Sequence, residues 1–416
     1  MIYAYNEVTK NNNFYENTTP VELIKQFGSP LYVYNENILR ARCKELTGFL
    51  TYPHFSVNYS VKANSNLHLL KIVHDQGLNA DAMSPGEIFV ELEAGFKPDQ
   101  ILYISNNVSA DEMLFAVEKD IVVSVDSVSQ LRKFGQIAPG GRVCIRFNSG
   151  VGAGHHEHVV TGGKKTKFGV DPTFIHKIKE IIKEFNLKLV GINQHIGSLF
   201  MESDKYIEGV VSVLALAELF PNLEFVDFGG GFGIPYEKQA GESRLDFKEL
   251  GEKLDKVLYD WTAKYGKQIM FKCEPGRYIA AECCTLLGSV NSIKTNYNMK
   301  YVGTDLGFNV LARPIMYGSH HDVEIYRQVG NPSTKNEVVN IVGNICESGD
   351  IIAKSRELPE IFEDDIIGVL DAGAYGFCMS SNYNNRLKPA EVLICENGDI
   401  KLIRRRDTLE DLLSNF

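Results

Sequence analysis

The sequence contains few cysteines and no long apolar run. Eight of its 416 residues are cysteine and none stands in a C-x-x-C pair, which excludes a disulfide scaffold and argues against zinc ribbons and thioredoxin-like redox sites. The longest apolar-rich stretch, residues 210–220, is interrupted by Ser212 and Glu218 and is too short to span a bilayer. Residues 1–20 lack the apolar core of a signal peptide. We therefore expect a reduced, soluble protein of the cytoplasm.

An excess of positive charge is also missing. The chain has 43 Lys and Arg against 53 Asp and Glu, a formal net charge of −10. Such a self-repelling acidic surface argues against binding to nucleic acid or to anionic membranes. Hydrophobic residues at 44 % and charged residues at 23 % are typical of soluble globular proteins, which excludes disordered and fibrous classes. At about 100–200 residues per domain, the length predicts two or three domains.

Short strand-like runs alternate with helical segments over residues 30–280. Each run is rich in β-branched residues and is followed by a polar or glycine-rich turn and a longer amphipathic stretch, which predicts βα units and a parallel sheet. Eight strands in about 250 residues is the number of a closed, TIM-like (β/α)8 barrel, and a doubly wound open sheet is the alternative. The eight runs are residues 55–63, 78–84, 101–107, 121–127, 142–148, 189–198, 225–231 and 269–277.

The rhythm changes after residue 280. Short strand-like runs follow one another without long helical inserts, and Asn397-Gly398 between two apolar runs predicts a β-hairpin. We therefore expect a separate, C-terminal all-β domain over residues 281–416.

Polar and glycine-rich motifs stand at the C-terminal ends of six predicted strands. For each motif alone, a simple turn is at least as good an interpretation as a functional site. Because barrel enzymes build their sites at this end of the strands, the shared position predicts an active site. The motifs are SVKA, SPGE, SNN, HIGS, GGGFG and EPGR.

One of these motifs contains a lysine and another is rich in glycine, and each has two interpretations. Lys62 either extends to the surface or is a partly desolvated amine with a lowered pKa that forms a Schiff base with a carbonyl. The glycines of residues 229–233 form either a tight turn or a phosphate cradle of backbone N–H groups, to which Ser198 adds a hydroxyl. Their spacing is not G-x-G-x-x-G, so a dinucleotide site is the poorer interpretation.

Other residues carry similar pairs of interpretations. Glu274 with Arg277 is either a local ion pair or a carboxylate for a protonated ring nitrogen beside an arginine for an anion. His195 is either a core histidine or stacks on an aromatic ring. Arg313 with Tyr317 is a carboxylate-binding pair or a surface turn, and an inert thiol is the default for Cys346. We predict no metal site, because the spacing is wrong for one at His155, His156, His158, His320 and His321.

Seven motifs together resemble the fold-type III decarboxylases that use pyridoxal 5'-phosphate, and among these the branch that acts on diaminopimelate. The resemblance runs from about residue 30 to residue 413. It implies a cofactor-binding barrel over residues 30–280 and a β-domain over residues 281–416, joined by residues 1–29. The motifs are YSVKANSN (59–66), NQHIGS (193–198), DFGGGFGIPY (227–236), EPGRY (274–278), RPIMYG (313–318), CESGD (346–350) and DAGAYGFCMSSNYNNRLKP (371–389).

The resemblance also implies roles, position by position. Lys62 would carry the cofactor, His195 would stack on its ring, Glu274 would keep the pyridine nitrogen protonated, and Cys346 of a partner subunit in a homodimer would donate a proton, with Lys62 as its rival. The phosphate would be held by Ser198, Gly230, Gly231, Gly276, Arg277 and Tyr375. The substrate would be bound by Arg277, Arg313, Tyr317, Glu347 and Tyr375.

The implied reaction is decarboxylation of meso-2,6-diaminoheptanedioate (diaminopimelate) to L-lysine and CO2, the last step of lysine biosynthesis. The alternatives are a related decarboxylase acting on ornithine, arginine or carboxynorspermidine, and a non-catalytic carrier of pyridoxal phosphate. The motif Cys-Glu-Ser-Gly-Asp at residues 346–350 favours diaminopimelate, and the second domain argues against a carrier.

Overall fold

The computed structural model describes residues 7–150, 153–154, 163, 166–327 and 335–416. Its helices are α1 Glu7–Asn11, α2 Pro20–Phe27, α3 Glu36–Thr47, α4 Leu67–Asp75, α5 Pro85–Ala94, α6 Ala110–Val117, α7 Val128–Ile137, α8 Ile175–Glu184, α9 Ser203–Ala217, α10 Phe247–Tyr265, α11 Arg277–Ala280 and α12 Arg313–Tyr317.

The strands follow the same order along the chain. They are β1 Leu31–Asn35, β2 Phe55–Ser60, β3 Asn79–Ala82, β4 Ile101–Ile104, β5 Val122–Val125, β6 Arg142–Arg146, β7 Ala153–Gly154, β8 Lys188–Asn193, β9 Gly197–Ser198, β10 Phe225–Asp227, β11 Met270–Cys273, β12 Cys284–Asn296, β13 Met299–Thr304, β14 Val323–Tyr326, β15 Asn336–Val342, β16 Ile351–Pro359, β17 Ile366–Val369, β18 Ala390–Ile394 and β19 Ile400–Arg404.

Eight parallel strands close into a barrel. Their order around it is β2-β3-β4-β5-β6-β8-β10-β11, with β11 returning to β2. Each of the eight runs identified in the sequence supplies one of these strands, so the predicted (β/α)8 barrel is confirmed and the open sheet is excluded. The strands are mostly buried, as expected where helices cover one face and side chains fill the interior.

Serine caps fix the turns that follow several barrel strands. The hydroxyl of Ser84 accepts from the backbone N–H of Glu87 at 3.2 Å at the start of α5. Ser109 and Glu112 form a reciprocal capping box at the start of α6. These bonds satisfy N–H groups that a helix leaves unpaired, and so hold each strand-to-helix turn in one conformation. The motif SPGE is therefore a helix start.

Nine of the remaining strands form a mostly antiparallel sheet, and β7 and β9 pair in a separate two-stranded sheet. The main path of the nine-stranded sheet runs β16-β15-β13-β12-β1-β18-β19, and β17 pairs with β12 and β14. Asn397-Gly398 lies in the turn between the antiparallel strands β18 and β19, with Gly398 at φ 83°, so the predicted hairpin is confirmed. Leu31–Asn35 lies inside the range 30–280 of the expected barrel and pairs with β12 and β18.

The chain divides into two compact units. The barrel unit contains Arg40–Ile234 and Arg244–Ile279, and the sheet unit contains the chain up to Leu39 together with Pro235–Ser243 and Ala280–Phe416. A cluster in the barrel unit packs Leu102, Ile104, Cys144, Val190 and Phe225, and one in the sheet unit includes Leu31, Val33, Leu287, Val392 and Ile394. Within the described part of the chain, every helix is too short or too polar to cross a membrane.

Candidate active site

Lys62 lies in a single 3-10 turn, Val61–Ala63, directly after the barrel strand β2. The strand end is fixed because the backbone N–H of Ser60 donates to Pro275 O at 3.1 Å and its hydroxyl donates to Asp81 Oδ2 at 3.2 Å. Asp81 is fully buried, and burial raises its pKa to about 8 against the opposing charge of Lys62. The turn therefore holds an amine close to a carboxyl group that readily carries a proton.

His195 follows strand β8 and its ring orientation is fixed by a backbone donor. The N–H of Gly230 donates to His195 Nδ1 at 3.1 Å. Burial, together with the positive charges of Lys62 and Arg146, holds the pKa of His195 well below its ordinary value. The ring is therefore neutral, with its proton on Nε2, and an uncharged flat ring suits stacking against an aromatic ligand.

The glycines at the ends of β10 and β11 leave no room for a side chain. A Cβ on Gly230 would lie 1.9 Å from Glu274 O, one on Gly231 would lie 2.3 Å from Gly197 O, and one on Gly276 would lie 2.9 Å from Ala63 Cβ. Gly231 also has φ 106°, which only glycine adopts readily. The backbone at this end of the barrel is thus packed so closely that glycine alone fits at these three positions.

Ser198 and Arg277 meet at the same end of the barrel. Arg277 begins α11 and its side chain is 7 % exposed. Its Nη2 donates to Ser198 Oγ at 3.1 Å. The predicted hydroxyl and guanidinium donors are therefore adjacent, beside the glycine-rich ends of the neighbouring strands.

A buried pair of carboxyl groups, Asp227 and Glu274, ends strands β10 and β11. The negative charge of each raises the cost of ionising the other, which favours a proton on one of the two. Asp227 Oδ1 accepts from the N–H of Gly229 at 2.9 Å, whereas Asp227 Oδ2 and Glu274 Oε1 have no donor among the described residues. Burial, then the charges of Asp227 and Asp81, raises the pKa of Glu274 well above its ordinary value.

These features fit the expected cofactor, pyridoxal phosphate. A close-packed glycine backbone with Ser198 and Arg277 suits its phosphate, and the neutral ring of His195 suits its aromatic face. The Glu274 oxygen that has no donor, buried at the end of β11, suits the N–H of a protonated pyridine. The barrel residues predicted from the sequence are thus brought to one end of the barrel.

The sheet unit carries the other predicted residues. Arg313 begins α12 and is 1 % exposed, and Tyr317 ends this helix and is half-buried. Cys346 and Glu347 are exposed on the loop between β15 and β16. The N–H of Cys346 donates to Asn384 Oδ1 at 2.9 Å, so the loop is fixed while its thiol side faces outward.

Two further residues of the sheet unit lie in tight turns. Glu347 accepts a hydrogen bond from Tyr383 OH at 2.7 Å. Tyr375 is half-buried in the turn after β17 and has φ 56°, a conformation unusual for a residue with a side chain. A strained non-glycine residue in a motif rich in glycine is consistent with a functional constraint.

The structure adds residues that sequence reasoning missed. Asp227 stood as a single acid in the apolar run FVDF, which was a visible signal for a buried carboxyl group. Asp350 accepts from Phe308 N at 2.7 Å and from Ile345 N at 2.8 Å, and so holds the loop that carries Cys346. Its position in CESGD was noted, but one of its two partners, Phe308, is 42 residues away in sequence.

The five histidines that were considered as metal ligands divide into two groups. His155, His156 and His158 lie outside the described residues. In the sheet unit, His320 Nε2 lies 3.0 Å from Asp322 Oδ1, and His321 Nε2 lies 2.8 Å from Arg313 Nη1. No group of three or more His, Cys, Asp or Glu residues within the described ranges is placed to hold a metal ion.

Comparisons with known proteins agree with this site. Residues 37–281 match the family model described as pyridoxal-dependent decarboxylase, pyridoxal binding domain. The diaminopimelate decarboxylase of Methanothermobacter thermautotrophicus is 43 % identical over 94 % of this chain and 92 % of its own length, and that of Aquifex aeolicus is 35 % identical over 98 % and 96 %.

A solved structure of a diaminopimelate decarboxylase is also similar to this chain. The diaminopimelate decarboxylase of Helicobacter pylori complexed with L-lysine is similar with a TM-score of 0.87 and 30 % identity, over 95 % of this chain and 98 % of that one. The chain belongs to the diaminopimelate decarboxylase family of pyridoxal-dependent decarboxylases.

Proposed function

We propose that this protein is a carboxy-lyase that uses pyridoxal phosphate to decarboxylate meso-2,6-diaminoheptanedioate, giving L-lysine and CO2 in the last step of lysine biosynthesis. The observation that carries the proposal is the meeting of the glycine backbone, the neutral His195 and the carboxyl group of Glu274 at one end of the barrel. The substrate follows from relatives that bear the name diaminopimelate decarboxylase at up to 43 % identity.

Lys62 is proposed to bind the cofactor covalently through its amine. Its place in the turn after β2, close to Asp81, supports this role, because the carboxyl group accepts or returns a proton as the amine changes its charge. Bound pyridoxal phosphate supplies an electron sink for the electron pair left on carbon when CO2 departs. Ser198, Gly230, Gly231, Gly276 and Arg277 would hold its phosphate, and Tyr375 would cap it.

Glu274 is proposed to keep the pyridine nitrogen protonated. A carboxyl group buried away from water at this position would favour the charged ring. Because the pKa of Glu274 is raised well above its ordinary value, this carboxyl group would have a proton to give to the nitrogen. His195 would pack against the ring as a neutral imidazole.

Cys346 is proposed to return a proton to carbon after CO2 has left, with Lys62 as the rival donor. Its outward-facing loop supports a role in the site of a partner subunit, and hence a homodimer whose sites are shared across the interface. For the substrate, a distal carboxylate is assigned to Arg277, Arg313, Tyr317 and Tyr375, and a distal ammonium to Glu347.

Location and partners follow from composition and resemblance. The net charge of −10 supports a protein without a nucleic-acid or membrane partner, and a biosynthetic enzyme of this family is expected in the cytoplasm. The cofactor is assigned to the barrel domain predicted over residues 30–280, of which Leu31–Asn35 pairs with strands of the β-domain predicted over residues 281–416 with residues 1–29.

The test is release of CO2 by the purified protein, loaded with pyridoxal phosphate, from a substrate panel. We expect release from meso-diaminopimelate and much slower release from L-ornithine, L-arginine and carboxynorspermidine. Faster release from any of these three would assign the protein to that substrate instead. A protein that binds the cofactor and releases no CO2 from any substrate is a carrier.

A further inference from the structure

His321 of the sheet unit contacts the buried guanidinium of Arg313. Both residues are 1 % exposed. Arg313 Nη1 lies 2.8 Å from His321 Nε2, and His321 Nδ1 lies 2.7 Å from Leu370 O. A backbone carbonyl, an imidazole and an arginine are thus linked in a single chain of hydrogen bonds.

The two ends of this chain fix the protonation of His321. A carbonyl oxygen only accepts, so Nδ1 carries the hydrogen and donates to Leu370. A guanidinium only donates, so Nε2 offers its lone pair to Arg313. The ring is therefore the neutral tautomer with hydrogen on Nδ1, and its orientation is set by the main chain.

Further contacts fix the plane of the guanidinium. Arg313 Nη2 donates to Ser319 Oγ at 3.3 Å, and the group lies over the ring of Tyr236, 4.5 Å from its centroid. Tyr236 in turn meets His321 edge to face, with ring centroids 5.1 Å apart. These three neutral groups together orient the guanidinium.

We infer that His321 is a positioning residue that orients Arg313 to bind the distal carboxylate of the substrate. The inference rests on the proposed function, because it takes Arg313 to be one of the arginines that bind this carboxylate. A guanidinium that is already oriented loses less conformational freedom when it binds a planar carboxylate. Its geometry therefore favours a ligand with this carboxylate over the same chain without it.

The neighbouring residue provides a matched control. His320 is half-buried, and its Nε2 lies 3.0 Å from Asp322 Oδ1 and 2.8 Å from Arg356 Nη1. Its described contacts are with other partners than Arg313. The same substitution at the two adjacent histidines therefore separates the contact with Arg313 from loss of an imidazole in this loop.

The experiment compares two ligands in the loaded enzyme and its variants. L-lysine retains the distal carboxylate and amine of the substrate, and 1,5-diaminopentane has the same carbon chain without the carboxylate. Dissociation constants for both are measured by calorimetry for the wild type, His321→Ala, His321→Gln and His320→Gln, with KM and kcat for meso-diaminopimelate and the thermal midpoint of each protein.

We expect His321→Ala to weaken L-lysine binding and raise KM by about tenfold, the size of one hydrogen bond to a charged group, with 1,5-diaminopentane binding unchanged. Gln at this position offers an acceptor to Arg313, so His321→Gln should restore most of the L-lysine affinity. His320→Gln should bind both ligands as the wild type does.

Three outcomes would overturn the inference. In the first, His321→Ala weakens both ligands equally, which indicates a structural role alone. In the second, neither His321 variant changes L-lysine binding while the wild type still prefers it over 1,5-diaminopentane, so that only the role of His321 fails. In the third, the wild type shows no such preference and releases no CO2 from meso-diaminopimelate, and both this inference and the proposed function fail.

Discussion

Several buried carboxyl groups of the barrel unit lack a donor on at least one oxygen, as does Asp371 of the sheet unit, whereas Glu324 and Asp350 of the sheet unit accept hydrogen bonds on both oxygens. In the barrel unit, Asp81 Oδ1, Glu274 Oε1 and both oxygens of Glu91 are buried without a donor among the described residues. In the sheet unit, Glu324 accepts from the backbone of Val8 at 2.9 Å and from Tyr326 OH at 2.6 Å, and Asp350 accepts two backbone N–H groups.

The difference distinguishes a scaffold from a site. A buried carboxylate with several donors holds chain segments together and needs nothing more. One that lacks donors takes up a proton or waits for a ligand, and a cluster of such groups in a cleft marks functional chemistry. Burial accordingly raises the pKa of Asp81 to about 8 and that of Glu91 to about 9.

The largest effect is expected from removing the cation that faces the carboxyl groups of the barrel. Lys62→Ala should abolish covalent attachment of pyridoxal phosphate and lower turnover at least about a thousandfold, because the attachment site and a proton carrier are lost together. Borohydride reduction followed by mass measurement of the protein detects the attachment. Lys205→Ala, at a surface lysine paired with Glu208, is the control and should behave as the wild type. Cofactor still trapped on Lys62→Ala would place the attachment elsewhere.

A smaller effect on chemistry alone is expected in the sheet unit. Cys346→Ala should lower kcat about 10²–10⁴-fold, the usual contribution of a general acid, and leave the cofactor bound, because the thiol lies outside the barrel unit. Stopped-flow turnover with meso-diaminopimelate and the visible absorbance of the bound cofactor measure the two quantities. The control is Cys378→Ala, at the other exposed thiol of this unit. An unchanged kcat for Cys346→Ala would move the proton donor to Lys62.

The strands of the barrel and one hairpin were predictable from local sequence patterns, whereas one long-range strand pairing was not. All eight barrel strands follow from β-branched runs that end in polar turns, and the hairpin at Asn397-Gly398 follows from its dipeptide. The pairing of Leu31–Asn35 with β12 and β18 did not follow. Those partners lie about 250 and 360 residues further along the chain, and alternation of residues carries no information about which strand is the neighbour.

The site was predictable in position and less so in its electrostatics. The motifs marked the strand ends, and Ser198 and Arg277 meet there. The pairing of Asp227 with Glu274 and the lack of donors at Glu91 required the three-dimensional structure, because burial and donors come from residues distant in sequence. From the sequence, His321 was considered only as a metal ligand. Its contacts with Arg313 and with the distant Leu370 carbonyl are visible only in the three-dimensional structure.

The comparison is sharpened by neutralising a carboxyl group of the barrel unit that lacks donors. Glu91 on α5 is fully buried, and burial with the charges of Asp81 and Glu87 raises its pKa to about 9. In the unfolded chain its pKa is about 4.3, so from roughly pH 4 to pH 9 the folded state binds the extra proton, and the free energy of unfolding falls as pH rises. The Glu91→Gln variant cannot ionise and should lack this fall.

The stability of Glu91→Gln relative to the wild type should therefore increase with pH by up to about 1.4 kcal/mol per unit, or at most about 3 kcal/mol between pH 6 and pH 8. Urea unfolding at pH 5, 6, 7 and 8 measures it. Glu93→Gln, at an exposed position of the same helix, should follow the wild-type profile. Parallel profiles for Glu91→Gln and the wild type would show that the buried carboxyl group finds a partner in solution.

The smallest effect tests a carboxylate of the sheet unit that is saturated with donors. In Asp350→Asn one oxygen remains for the backbone N–H groups of Phe308 and Ile345, and the amide places its own N–H groups against the other donor. We expect a loss of about 1–3 kcal/mol in the free energy of unfolding, the cost of a buried donor left without an acceptor, with cofactor binding retained. Urea unfolding at pH 7 measures it against Asp364→Asn, where the residue is exposed at φ 68° and Asn is tolerated. Equal stability of the two variants would mean that these two bonds add nothing to the sheet unit, and that a count of donors does not separate its buried carboxylates from those of the barrel.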